Sequence, residues 1–143
     1  MPRRLESLTL SDAKLMLAAG EAKAQALGLP YNIAIVDAGG SLIAFVRQDQ
    51  ALIGCIDLAI SKATTARLFD KPTSLIGELA APGHPLFGIG LSNGGKVVTF
   101  GGGLTVVSEG AVIGAVGASA GTVEEDVAVA QAAVEALSAR SPG

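Results

Sequence analysis

The chain has 143 residues, half of them hydrophobic and 16% charged, with a formal net charge of −3. That length can bury a real core as one domain over residues 1–143, and the composition excludes a disordered chain. The acidic balance and only five aromatics (Tyr31, Phe45, Phe69, Phe87, Phe100) leave neither a basic stripe nor an evident stacking platform, which argues against nucleic-acid binding.

Taken in chain order, Thr9 and Asp12 have capping-box spacing, and Ala13, Met16/Leu17, Gly20, Ala24 and Leu27 recur at helical intervals until Gly28 and Pro30. Two apolar runs about Asp37-Ala38-Gly39-Gly40 predict a hairpin between Tyr31 and Asp49. Helical spacing returns from Leu52 to Phe69 through Ile56, Ile60 and Ala63, and Asp70-Lys71-Pro72 ends it. A shorter helix is expected over Thr73–Ala81, then irregular chain over Leu86–Gly95. Three strands follow, Lys96–Phe100, Leu104–Ser108 and Ala111–Ser119, the last two joined by a Glu109-Gly110 turn. A final helix runs from Thr122 to about Ala139, opened by a Thr122/Glu125 capping box, with Val123, Val127, Ala130, Val134 and Leu137 as its buried face. Because hairpins rather than crossovers join most strands, the fold class is α+β, an antiparallel sheet backed by helices.

The apolar runs break well before the roughly 18 residues of a membrane span. No apolar signal core follows Arg3 and Arg4, so a cytoplasmic protein without membrane attachment is expected. Lone Cys55 excludes an intrachain disulfide and a multi-cysteine metal site, and lone His84 any site needing two histidines from one chain.

Four features invite a chemical reading. The triple glycine Gly101–Gly103 lies between strand-like segments with no GK[ST] after it, so a phosphate loop is disfavoured. It reads as a bend between strands, or as bare backbone that a planar ligand can approach closely. Arg47, at a strand end, could hold a carboxylate through paired hydrogen bonds or form an ordinary surface pair with Asp49, the commoner fate. Lys62, in an otherwise small and apolar helix, either points into a pocket or runs its stem along the surface with its amine in water. His84, in a proline-flanked loop, has the chemistry of a haem axial ligand, though exposed loop histidines usually ligate nothing. Glu124, Glu125 and Asp126 are accounted for by a helix N-terminus.

Together, VDAGGSLIAFVRQD (Val36–Asp49), SKATTARLF (Ser61–Phe69), FGGGLTV (Phe100–Val106) and GAVGASAGTVEEDVAVA (Gly114–Ala130) resemble, in order and spacing, the GlcG/HbpS family of small haem-binding-related proteins. The resemblance implies a profilin-like fold with a five-stranded antiparallel sheet flanked by helices, and homo-oligomers. It places Asp37, Arg47, Asp49, Lys62 and Gly101–Gly103 on the family's characteristic positions. Thr105 stands where the family usually reads proline, and Ala120 where it usually reads glycine. The implied function is binding of a small ligand, haem or a related planar carboxylate. Phe100 would be a flat wall, Lys62 and Arg47 the carboxylate partners, and His84 or Thr105 a candidate axial ligand. The alternative is a small enzyme acting on an oxygenated organic acid or aromatic, with Lys62 as base or charge partner and Arg47 as clamp.

Overall fold

In the computed structural model, which describes residues 1–140, Thr9 Oγ1 accepts the Asp12 N–H and the Asp12 carboxylate accepts the Thr9 N–H. This capping box opens helix α1 (Leu10–Leu27), and Gly28, in the left-handed conformation that glycine tolerates best, closes it. The hairpin follows as β1 (Asn32–Asp37) and β2 (Leu42–Arg47). Next come α2 (Gly54–Phe69), α3 (Thr73–Leu79), two single 3₁₀ turns, β3 (Gly103–Ser108), β4 (Ala111–Ser119) and α4 (Val123–Arg140).

The sheet is antiparallel throughout, in the order β2-β1-β4-β3. It has four strands among the described residues rather than five. The expected strand Lys96–Phe100 is not in the sheet, because the glycines after it turn the chain away, Gly102 standing at φ +126°. The Val98 N–H instead donates to Thr65 Oγ1 on α2 at 3.0 Å. The three glycines therefore join a segment lying along α2 to the first strand residue, and do not bend one sheet strand into another.

Strand alternation sorts the interior into two layers. On one face Ile33, Ile35, Val106, Val116 and Ala118 pack against Met16 and Ala24 of α1 and Val129 and Ala133 of α4. On the other, Ala34, Val36 and Ala115 meet Ala59, Ala63 and Ala66 of α2. Alanine and glycine predominate where α2 crosses this face, so α2 sits nearly on the sheet backbone there. A Cβ at Gly117 would collide with the Ala59 carbonyl, and one at Gly103 with the Lys62 carbonyl. The same tightness rotates α2 away from the sequence expectation. Its buried stripe is Ala59, Lys62, Ala63 and Ala66, while Ile56 and Ile60 are only half-buried. In α4 the buried residues are Asp126, Val129, Ala130 and Ala133, whereas Val123 is exposed. No helix among the described residues is long and apolar enough to cross a membrane.

Gly117→Ala should destabilise the fold by about 3 kcal/mol, since the obstacle is backbone that cannot move aside. Gly54→Ala, with nothing within 4 Å of the added carbon, should be neutral or stabilise by up to about 1 kcal/mol. Urea midpoints of the two variants that fail to separate would contradict the packing described.

Candidate functional site

At one end of the sheet, Asn32 of β1 pairs with both Arg47 of β2 and Ser119 of β4, and Gly103 opens β3 beside them. Lys62 reaches this end from α2, with no exposure to solvent. An ammonium so placed must be matched by acceptors or it would cost many kcal/mol. Its Nζ donates to Asp126 Oδ2 at 2.8 Å and to the Ala118 carbonyl at 3.0 Å, and it faces the Phe100 ring with 5.1 Å to the centroid. The Asp126 carboxylate is as fully engaged. Its Oδ1 accepts the Tyr31 hydroxyl at 2.9 Å, the Gly121 N–H at 2.9 Å and the Ala120 N–H at 3.2 Å. Because Ala120 meets Asp126 through its backbone N–H, a side chain there in place of glycine leaves the bond intact.

The glycines expected to line a pocket are themselves buried, and they make room for this pair. A Cβ at Gly102 would lie 2.6 Å from Lys62 Nζ and 2.7 Å from the Ala118 oxygen. Gly101 is closed over by Val123 and Val127 of α4, and the Gly103 N–H donates to buried Thr73 Oγ1 at 2.9 Å.

The remaining candidates do not converge. Arg47 is exposed and donates to the Ala51 carbonyl, 3.1 Å from Nη2, forming no ion pair with Asp49, which sits exposed in the following turn. Asp37 lies at the opposite end of β1, five residues or roughly 17 Å away. There its Oδ1 accepts the Gly39 and Ser41 N–H groups and shapes the hairpin turn. Thr105 is half-buried on β3 opposite Ala115. His84 is exposed, in a turn where its N–H donates to the Ala81 carbonyl.

Tyr31, Asn32 and Asp126 were not singled out by the sequence. Asn32 is fully buried; its Nδ2 donates to the Leu52 carbonyl at 3.0 Å, and its Oδ1 alone among buried side-chain oxygens of the described residues lacks a partner. Asp126 looked like an ordinary helix-start acid. The available signal was spacing, because Asp126, Val129, Ala130 and Ala133 share one helical stripe and a buried lysine elsewhere requires a carboxylate.

Outside the ion pair, an open groove of about 350 Å³ runs between the Asp57–Ser61 turn of α2 and the chain from Gly94 to Phe100. Phe100 is 41% exposed, so its ring covers the Lys62 ammonium and also forms part of the groove wall. At the other end of the wall Lys96 Nζ stands 3.8 Å from Asp57 Oδ1, both side chains largely in water.

Sheet, helices and site define a small α+β protein with a saturated internal ion pair beneath an aromatic-walled groove. The sequence model of the family described as "Haem degrading protein HbpS-like" matches residues 8–135, and the chain belongs to that HbpS-like family. It is 40% identical over 136 residues to an uncharacterized 15.0 kDa protein from the dhaT-dhaS intergenic region of Citrobacter freundii, covering 95% of this chain and 96% of that protein. The crystal structure of Klebsiella pneumoniae ORFY superposes with a TM-score of 0.94 at 37% identity, covering 96% of this chain and 95% of the other. The crystal structure of a PduOC:haem complex gives a TM-score of 0.87 at 37% identity, covering 90% of this chain and 94% of that one.

Burial, and secondarily the hydrogen bond to Asp126, push the Tyr31 phenol far above its ordinary value. An unfolded chain releases that proton near pH 10 while the folded chain keeps it. The stability contributed by the protonated phenol is therefore complete below about pH 10 and is lost as pH rises beyond it. Tyr31 is the sole tyrosine and there is no tryptophan, so ultraviolet tyrosinate absorbance reports on this one group. The native protein should show no tyrosinate band at about pH 11, and Tyr31→Phe should flatten the alkaline loss of stability by about 1.4 kcal/mol per pH unit. A band rising near pH 10 with helical circular dichroism intact would contradict this.

Proposed function

We propose that this chain is a small-ligand-binding protein whose ligand is haem or a related planar, carboxylate-bearing molecule, held in the groove beside Phe100. The observation that carries the reading is the half-exposed Phe100 ring on the wall of an open groove. Support comes from a relative of 37% identity that was solved as a haem complex. The lining residues suit a flat ring and an anionic edge. Among them is no histidine, cysteine, methionine or tyrosine, the usual haem-iron ligands, and the candidate ligands His84 and Thr105 both lie outside the lining. When bound, haem supplies a redox-active iron; the chain supplies an aromatic face, a charged rim and a rigid floor.

The same reading includes self-association and a cytoplasmic setting. Leu52, Ile53, Phe87 and Leu91 are each more than 60% exposed, large apolar side chains that copies of the chain can bury against one another. The enzymatic alternative has no specific observation in its favour. The Lys62 amine is buried and spends its protons on Asp126 and Ala118, and Arg47 is engaged by Ala51.

Titrating haemin into the purified protein should give a saturable, shifted Soret band, and Phe100→Ala should weaken binding about tenfold, or 1.4 kcal/mol. A wild-type protein with no saturable Soret change would overturn the reading.

A further inference from the structure

The cations at this end of the molecule differ in availability. Lys62 is buried against Asp126, and Arg47 donates through both Nε and Nη2 to the Ala51 carbonyl. Neither lines the groove. Lys96 does, with its side chain 69% exposed, and its one acidic neighbour there is Asp57, itself 76% exposed at 3.8 Å. A pair that long and that wet contributes little, so an incoming anion can replace the aspartate without a large loss. The backbone before Lys96 is also clear, since Gly94 and Gly95 have open space where side chains would project. Phe100 lies four residues along the same wall, at most about 14 Å away. One end of the groove thus offers a weakly paired, exposed positive charge and the other a flat aromatic face.

We propose that Lys96 is the carboxylate-binding residue of this groove, acting with Phe100 to select planar ring systems that carry a carboxylate on one edge. Asp57 is the resident counter-charge that the ligand's carboxylate displaces. The inference rests on the ligand-binding reading above and assigns the anionic contact to a residue other than Lys62 or Arg47.

The test uses the 143-residue chain and two probes, haemin and its dimethyl ester, which keeps the ring and iron but masks both carboxylates. Binding is followed by Soret titration for the wild type, Lys96→Gln and Asp57→Asn; Lys96→Gln should melt with the wild type and Asp57→Asn only slightly below it, since it removes a negative charge from the first turn of α2. The wild type should bind haemin five- to tenfold more tightly than the ester. Lys96→Gln should weaken haemin by a similar factor and leave the ester unchanged, and Asp57→Asn should tighten haemin. Haemin binding that Lys96→Gln leaves unaltered overturns this inference and spares the functional reading. Failure of the wild type to bind haemin overturns both.

Discussion

A lysine ammonium has been taken entirely out of water at one end of the sheet, and much of the structure follows from satisfying it. Lys62 Nζ joins α2 to α4 through Asp126 and to β4 through the Ala118 carbonyl, while Asp126 carries the connection on to Tyr31 before β1. Removing one member of such a pair typically costs about 3–5 kcal/mol, because the other is left charged and buried. The saturation of Asp126, with four donors on two oxygens, makes the arrangement tolerable. The glycines are a consequence. Gly102 leaves room for the ammonium, and Gly103 and Gly117 let α2 approach closely enough for Lys62 to reach across.

The polar groups fall into two kinds. Inside, the Lys62–Asp126 pair at 2.8 Å is dry and fixed, and it holds the Phe100 ring from beneath. Outside, Lys96 and Asp57 at 3.8 Å are wet and exchangeable. A contact worth about 0–1 kcal/mol can be surrendered to a ligand, and one worth several cannot. The inner pair accordingly fixes the Phe100 side of the groove wall, and in the ligand-binding reading proposed above the outer pair is the one that exchanges.

The element order was largely legible because capping boxes, turn residues and apolar spacing are local signals. Thr9/Asp12, Asp37–Gly40 and Thr122/Glu125 all form as their spacing predicts. The misreadings arise where a distant element decides. Lys96–Phe100 has a strand composition, but its Val98 N–H is taken by Thr65, thirty-three residues away. Ile56 and Ile60 are larger than Ala59 and Ala66, yet the close approach of α2 to Ala34, Ala115 and Gly117 buries the alanines fully and leaves Ile60 only partly buried against this layer. Lys62 gave no local hint of burial, since its partner lies 64 residues on at the start of another helix. Arg47 and Asp37 were legible as motif positions. Their work is on nearby backbone carbonyl and amide groups, which residue identity alone does not reveal.

A double-mutant cycle on Lys62→Met and Asp126→Asn, read by urea denaturation, tests the central claim most directly. Each single change should destabilise by about 3–5 kcal/mol. The double variant should lose far less than their sum, giving a coupling of at least about 2 kcal/mol. Additive losses, with coupling near zero, would show that the two charges do not depend on one another and would contradict the account.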